Sequence, residues 1–429
     1  MLMWGLPFMA CHFVGAQYLR EHRSQHLAAF YFLIGSVWIT WLIGTKGFLF
    51  LLIQPLMLFG IKLLTGSDKL IYMAALSYKI LENARLMVAL KQAALDTTDY
   101  SQEIGHITES WINLRAMSCC LDLIWQEVPS SGNWSDFVKM LAHSFYMPVL
   151  VLGPVIRFKE FNDGLEAKSA PWNMSRVTTF TALLLRFSFW WLVAQLWRLL
   201  YMTAIRYDVD VADSMWTVCG TAYIIGQNFN LRYVVFYGLP RAFYFADGIE
   251  DIPTPRCICR ISHYSNMWKH FDVGLYRVIQ KYFYFPLMTF RLPGTLVKLF
   301  ASFLTFCFVY IWHGQHQYVL IWSVLNFVGV TLEAAGRAIC KDATWARMAS
   351  DHLHLSPVGQ RRLQALASTL VFALAIVSNL YFLVGDVEQG NTYAYRLLFT
   401  WPHGTPIFFL TLYFGVQFSY EVHNWEKGR

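Results

Sequence analysis

The sequence predicts an all-α polytopic membrane protein, and three observations carry that prediction. Hydrophobic residues make up 56% of the 429 positions and charged residues only 14%, against roughly 25% charged in an ordinary soluble domain. Apolar runs of near-spanning length recur from one end of the chain to the other, with the charges gathered in the connections between them. Phe, Trp and Tyr together reach 17%, which suits aromatic belts at two lipid–water interfaces. A soluble core could be as apolar, but its surface would still need charge.

A membrane span needs about 20 mostly apolar residues. The segments that qualify in whole or part are 2–19, 28–44, 47–64, 69–80, 110–126, 138–156, 178–205, 214–238, 277–292, 295–313, 317–336, 363–385 and 404–421. The first has no basic stretch before it and is long enough to span, so it does not read as a cleavable signal peptide. Some of the others are compromised: 110–126 contains Arg115 and Asp122, 138–156 is interrupted by Pro148 and Gly153-Pro154, and 277–292 carries Lys281 and Pro286. Broken backbone at membrane depth is tolerated only where protein or a wet cavity covers it. The expectation is therefore about nine or ten transmembrane helices plus two or three re-entrant or interfacial pieces.

Among the connections, 81–109 is expected to be an interfacial helix followed by loop. Residues 241–274 read as a cytosolic loop rich in Arg, Cys, His and Pro, leading into the candidate chemistry. Residues 337–362 carry Arg337, Lys341, Arg347, Arg361 and Arg362 against Asp342 and Asp351, a cytosolic pattern. No repeat, low-complexity tract or Gly/Ser linker divides the chain, so a single membrane-bound domain over 1–429 is the simplest organisation.

The net charge of +7 is spread over short loops, which reads as a topology signal and excludes a clustered nucleic-acid surface. Cys11, Cys119, Cys120, Cys219, Cys257, Cys259, Cys307 and Cys340 lie mostly in or beside apolar segments and do not form a secreted disulfide framework. Two N-x-S triplets, at Asn133 and Asn173, are short enough to arise by chance. No G-x-S-x-G elbow, P-loop or H-E-x-x-H is present, which leaves soluble hydrolases, nucleotide triphosphatases and zincins without a foothold.

Ionisable groups at membrane depth are costly and call for an explanation. His313 follows the uncharged run 299–312 where an aromatic apolar helix meets Gly314. An interfacial histidine bonded to a carbonyl or water would give the same pattern. Asp272, between Phe271 and Val273, opens an apolar segment; a carboxylate stabilised by a helix N-terminus is the plain alternative, and such a fixed carboxylate is also what orients a histidine. Asn379 lies in a late span, where an asparagine usually bonds across to a neighbouring helix. Cys257 and Cys259 form a C-x-C pair, too weak alone to indicate zinc and compatible with lipidated or unmodified interfacial thiols.

Taken together, the stretches YMPVLVLGPVIRFKEF (146–161), YGLPRAFYFADG (237–248), PRCICRISHYSNMWKHFDVGLY (255–276), YIWHGQHQYVLIWSVLNFVGVTLE (310–333) and SNLYFLVG (378–385) resemble the membrane-bound O-acyltransferase family, and within it the branch that acylates Hedgehog-type secreted proteins. The most specific feature is an aspartate followed forty-one positions later by a helix-end W-H-G. The resemblance implies a central catalytic tunnel, with His313 as the catalytic histidine and Asp272 where many O-acylating relatives carry asparagine. It places Asn379 in the same chamber, Trp268 as an aromatic gate, and Lys269 and Tyr284 along the acyl-CoA path. It makes Cys257, rather than Cys259, the ligand of a structural haem b. Members of the family usually begin with a further apolar segment and charged stretch, so Met1 here falls after that point.

The implied activity is transfer of palmitate from palmitoyl-CoA to the N-terminal cysteine amine of a secreted Hedgehog-type or growth-factor-type protein. The implied setting is a monomer, multi-pass in the endoplasmic reticulum or Golgi membrane, with no nucleic-acid partner. Two other classes share parts of the pattern. An O-acyltransferase for a serine or lipid hydroxyl would favour asparagine at 272, and a non-enzymatic glycerol-uptake-like relative would lack the histidine.

Overall fold

The computed structural model describes residues 2–82, 84–95, 99–151, 153–203, 205, 208–261, 263–342, 347–348, 354, 356–402 and 404–427, and among these there is no strand. The principal helices are α1 (Leu2–His22), α2 (Leu27–Thr65), α3 (Asp68–Leu81), α4 (Arg85–Ala94), α5 (Asp99–Ile124), α6 (Asn133–Ser144), α7 (Phe158–Glu166), α8 (Met174–Leu199), α9 (Met215–Ala246), α10 (Tyr264–His270), α11 (Val273–Ile279), α12 (Gly294–Trp312), α13 (Gln317–Lys341), α14 (Pro357–Val384), α15 (Val387–Phe399) and α16 (Gly404–Lys427). Among the described residues, five stretches are long and apolar enough to cross a membrane: Ser24–Thr65, Met174–Leu199, Gly294–Trp312, Gln317–Cys340 and Pro357–Val384.

Segments 28–44 and 47–64 form the two helical halves of α2, joined across a kink at Gly44, whose φ of 78° and ψ of 168° lie outside the helical region. Only glycine takes such a φ without a Cβ penalty, so the apolar run kinks there and resumes. Segment 81–109, expected as an interfacial helix followed by loop, ends instead in the first turns of α5, which begins at Asp99. Glu109, on this part of α5, joins an ion-pair cluster in which Lys91 lies 2.9 Å from Glu82 and 2.8 Å from Glu109. The breaks expected in 138–156 and 277–292 are present: the first passes through a 3-10 turn at Met147–Val149, the second through a π-helical turn at Gln280–Tyr284.

The chain folds as two compact units. The first comprises Met1–Leu192, Tyr233–Thr254 and Val273–Pro286. Its core gathers Leu27, Tyr31, Tyr146, Val149, Phe161, Tyr244 and Ile252 around the irregular stretch after α6. That stretch is buried, so its backbone carbonyls need donors from the protein. The fully buried Arg115 guanidinium donates to the carbonyls of Ser144 and Val149, Nε2 of His143 meets the Ile156 carbonyl at 2.8 Å, and the Tyr244 hydroxyl donates to the Pro154 carbonyl at 3.1 Å. Lys281, 2.8 Å from Asp122, and Tyr282, donating to it at 2.9 Å, hold the second break to α5 in the same way.

The second unit comprises Val193–Arg232, Pro255–Asp272 and Leu287–Arg429. Its helices α9, α14, α15 and α16 bury Val218, Ile225, Ala373, Leu380, Tyr393, Leu397 and Phe408 together. α10 is pinned to α13 and α14. Glu333 accepts from the Ser265 amide at 2.9 Å and its hydroxyl at 2.7 Å, and the Tyr264 hydroxyl lies 2.5 Å from that of Ser378.

Close backbone approach fixes two glycines in the first unit. A Cβ at Gly35 would lie 1.8 Å from the Phe145 carbonyl oxygen, and one at Gly274 would lie 2.7 Å from both the amide and the carbonyl of Val155. Backbone cannot yield as a side-chain tip can. Gly274→Ala is therefore expected to destabilise the first unit by about 1–3 kcal/mol, the usual cost of overpacking, visible as a lowered thermal midpoint in detergent. An unchanged midpoint would contradict the close packing of α11 on the broken stretch.

Candidate active site

His313 is positioned by the end of α12. The helix stops because Gly314 and Gln315 take φ of 98° and 62°, which turns the chain before α13 begins at Gln317. The closing turns are tied. The His313 amide donates to the Val309 carbonyl at 3.1 Å, and the Tyr310 hydroxyl donates to the Gln315 carbonyl at 3.1 Å. His313 is the residue immediately after the last helical position, where its side chain leaves the apolar helix.

Three rings surround its imidazole at nearly right angles. Trp312, Trp322 and Phe382 lie with centroids 4.8, 5.2 and 5.1 Å away, at interplanar angles of 86°, 87° and 82°. Trp322 and Phe382 stack on one another at 4.4 Å, so α13 and α14 present a rigid aromatic wall to the histidine. Edge-to-face placement is the favoured geometry for such rings.

The wall is held by side-chain amides. Trp322 Nε1 donates to Asn379 Oδ1 at 3.2 Å, and Asn379 Nδ2 donates to the Ala375 carbonyl at 2.7 Å and lies 3.2 Å from Met267 Sδ. Asn326, fully buried, accepts from Trp268 Nε1 at 3.0 Å and donates to the Trp322 carbonyl at 2.6 Å. The Trp268 ring packs against Trp322 at 5.7 Å and Phe306 at 5.4 Å. His313, Asn379 and Trp268 thus belong to one cluster, joined through Trp322.

Asp272 is half-buried and directly precedes α11. Its neighbour Phe271 stacks on Phe229 at 5.3 Å, and Phe229 meets Phe382 at 6.2 Å. Rings therefore run from the residue beside Asp272 to the ring facing His313. Lys269 is exposed at the end of α10. Burial, with the charges of Arg256 and Lys269, pushes the adjacent His270 imidazole below its ordinary pKa, which leaves it neutral near pH 7 beside two cations. Tyr284 ends the π-helical turn of the first unit and is not part of this cluster.

Cys257 is exposed and starts the 3-10 turn Ile258–Arg260. Its loop is tied at both ends: the Arg256 amide donates to the His270 carbonyl at 3.0 Å, and the Ser419 hydroxyl donates to the Arg260 carbonyl at 3.0 Å. A cysteine thiolate is one of the side chains that can ligate a haem iron. The Cys259 side chain lies outside the described residues.

Trp322, Asn326, Phe382 and Glu333 escape a reading that singles out only histidine and carboxylate at membrane depth. Asn326 and Glu333 carried a usable signal, since any polar group within an apolar span needs a partner. Trp322 and Phe382 carried none, because aromatic residues fill these helices throughout.

Comparison with known proteins identifies the pattern. The membrane-bound O-acyltransferase family matches residues 57–377, a region that includes Cys257, Trp268, Asp272 and His313 and ends two positions before Asn379. The chain is 37% identical over 289 residues to protein-cysteine N-palmitoyltransferase Rasp of Drosophila melanogaster, covering 66% of this chain and 56% of that one. It is 33% identical over 288 residues to protein-cysteine N-palmitoyltransferase HHAT of Mus musculus, covering 65% and 56%. It is 25% identical over 309 residues to membrane-bound O-acyltransferase GUP1 of Millerozyma farinosa, covering 68% and 56%. The chain thus spans about 56% of the length of the curated relatives it matches.

Trp322→Phe should separate the ring from its hydrogen bond. It keeps the wall against His313 but removes the donor to the half-buried Asn379 Oδ1, and one such hydrogen bond is worth about 0.5–1.5 kcal/mol. A thermal midpoint lowered on that scale is expected, and the further substitution Asn379→Leu should not add to it. Strict additivity of the two changes would show that the bond does not couple these helices.

Proposed function

This chain belongs to the membrane-bound O-acyltransferase family, and we propose that it transfers palmitate from palmitoyl-CoA to the N-terminal amine of a cysteine on a secreted protein, acting as one membrane-bound domain in the endoplasmic reticulum or Golgi membrane. The observation that carries the reading is the imidazole of His313, clamped by three rings at the end of an apolar helix, in a chain similar to two N-palmitoyltransferases.

Palmitoyl-CoA reaches the membrane from the cytosol and a secreted acceptor from the lumen, so the chemistry belongs at membrane depth, where a tunnel would let the two meet. The amine nitrogen attacks the thioester carbonyl, the new C–N bond forms, the C–S bond breaks and the CoA sulfur leaves. An α-amino group has a pKa near about 8, and a histidine near about 6.5 is matched to take the proton it sheds. His313 takes that proton from the attacking nitrogen and returns one to the departing sulfur. Asp272 holds the imidazolium or the incoming ammonium. Trp268, hinged on its bond to Asn326, gates the acyl path, and the exposed Lys269 together with Arg256 offers cationic contact to the phosphates of CoA. Tyr284 lines the acyl path, and Asn379 fixes the wall behind the histidine. The acceptor is a Hedgehog-type or growth-factor-type ligand, and the enzyme acts as a monomer.

Cys257 would hold a structural haem, which when bound ties its loop to the membrane core. A thiolate-haem absorption band in the purified protein, lost in Cys257→Ala, is the expected result; no band in the wild type removes the haem from this reading.

The favoured alternative is acylation of a hydroxyl, since one relative is named a membrane-bound O-acyltransferase without reference to cysteine. Purified protein given palmitoyl-CoA and peptides beginning with Cys, Ser or acetyl-Cys distinguishes them. Only the Cys peptide should be labelled, and its product should resist neutral hydroxylamine as an amide does. Labelling of the acetylated peptide would refute N-acylation. His313→Ala should slow the reaction by about 10²–10⁴-fold, the contribution of a general base, with palmitoyl-CoA still bound.

A further inference from the structure

Glu333 is a buried carboxylate that no step of the transfer uses. From Gln317 to Leu332 α13 carries no charge, and Glu333, which follows, is only 7% exposed. A carboxylate within a membrane-crossing helix is costly, so its presence calls for a partner and a task. Its partners converge on one residue of α10. Glu333 accepts from the Ser265 amide at 2.9 Å and from the Ser265 hydroxyl at 2.7 Å. Arg337, one turn further along α13, lies 2.6 Å from Glu333 and donates to the same hydroxyl at 3.1 Å.

These contacts belong to a longer row. Trp322, Asn326, Gly329, Glu333 and Arg337 are spaced by three or four positions and so share one face of α13. Each of them meets α10. Trp322 packs on the Trp268 ring, and Asn326 accepts from Trp268 Nε1 at 3.0 Å. A Cβ at Gly329 would strike the ring of Tyr264, which is fully buried and held through its hydroxyl at 2.5 Å from that of Ser378. Glu333 and Arg337 then close the row on Ser265.

α10 depends on such support. It has only 7 residues, and isolated helices shorter than about 12–15 residues are marginal, so its placement comes from what it touches. The Ser265 amide lies in its first turn, where a helix offers no acceptor of its own. Trp268 stands on α10, and Asp272 follows just beyond its end, after a Phe271 amide that donates back to the Met267 carbonyl at 2.9 Å. A slide or tilt of α10 would displace Trp268 and Asp272 together, and a misplacement of about 1 Å is enough to cost about a hundredfold in rate. We propose that Glu333 is a positioning residue for acyl transfer: by holding the first turn of α10 to α13, it sets where Trp268 and Asp272 stand relative to His313. This inference rests on the acyl-transfer reading and adds to it a residue outside the reacting groups.

The test compares Glu333→Leu, Glu333→Gln and Ser265→Ala in the purified full chain. Hydrogen exchange over 264–272 reads the clasp, and turnover of palmitoyl-CoA with a Cys-starting peptide reads its consequence. Glu333→Leu should speed exchange there at least about tenfold while leaving α12 unchanged. It should also lower kcat by about 10–100-fold, with KM for the peptide within about threefold of wild type. Glu333→Gln keeps an oxygen for the Ser265 amide and should recover both quantities to within about threefold. Ser265→Ala removes one of the two bonds and should shift both by about threefold, which decides the case should Glu333→Leu not fold. Added to Asp272→Asn, Glu333→Leu should lower kcat by less than about threefold, since both act on one group. Unchanged exchange overturns the proposal, as does faster exchange with kcat unchanged. A full repeat of the kcat loss in the Asp272→Asn background makes Glu333 a support of the fold at large and overturns it too. A wild type that labels only a Ser or acetyl-Cys peptide refutes N-acylation instead, and the same variants are then judged by the same criteria with that acceptor.

Discussion

A backbone carbonyl or amide left unpaired in hydrocarbon costs several kcal/mol, and both units are organised around meeting that requirement where the chain is not helical. In the first unit, the stretch following α6 abandons helical geometry while remaining buried. Arg115, His143 and Tyr244 supply what the missing helix would have supplied, each reaching a carbonyl from a neighbouring helix. Gly35 and Gly274 then become obligatory, because the irregular backbone is approached too closely for a Cβ. An arginine that looked anomalous in an apolar run is thus the donor that permits the break.

The same requirement shapes the second unit. α12 must end for the chain to turn into α13; a tightened last turn takes up carbonyls at its end, and the Tyr310 hydroxyl takes up the Gln315 carbonyl in the turn that follows. His313 sits at that end, so its backbone is fixed by the termination and its ring by three aromatic neighbours. Trp322 and Trp268 are fixed in turn by Asn379 and Asn326. Asn326 and Asn379 each bond through both the carbonyl and the amino side of the amide, and such pairing lets polar groups rigidify a structure instead of weakening it.

Much of this was legible in the sequence, for reasons that also explain what was not. The charge deficit and the apolar runs gave the helical membrane class, and the interrupting Pro148 and Gly153-Pro154 marked the true position of a break. His313, Asp272 and Asn379 stood out because ionisable and amide groups at membrane depth are expensive. The two apolar runs that meet at Gly44 were separable in the sequence, but the kink that joins them was not, because a glycine kink and a short turn leave similar traces in composition. The helical end of segment 81–109 was hidden, because the partners of Glu109 and His106, Lys91 and Glu82, come from preceding segments. Trp322 and Phe382 were invisible for a different reason. In a chain that is 17% aromatic, no local pattern distinguishes the rings that face a histidine from those that face lipid.

The contrast between amine and hydroxyl acceptors comes down to what a clamped histidine is asked to do. An α-amine near pKa 8 is partly neutral already and attacks a thioester once its remaining proton has somewhere to go, whereas an alcohol must lose a proton far more tightly held. On the proposed reading the demands on the imidazole are modest and those on positioning are large. The structure's investment matches that division: three perpendicular rings and two hydrogen-bonded amides restrain His313 and its wall. A carboxylate rather than an amide at 272 fits the same division. An ammonium arriving at a half-buried site benefits from a negative charge to meet it, while a neutral hydroxyl gains nothing from that charge that asparagine could not give. On the proposed reading, the residue at 272 therefore bears on the acceptor, and the residue at 313 on the transfer common to both.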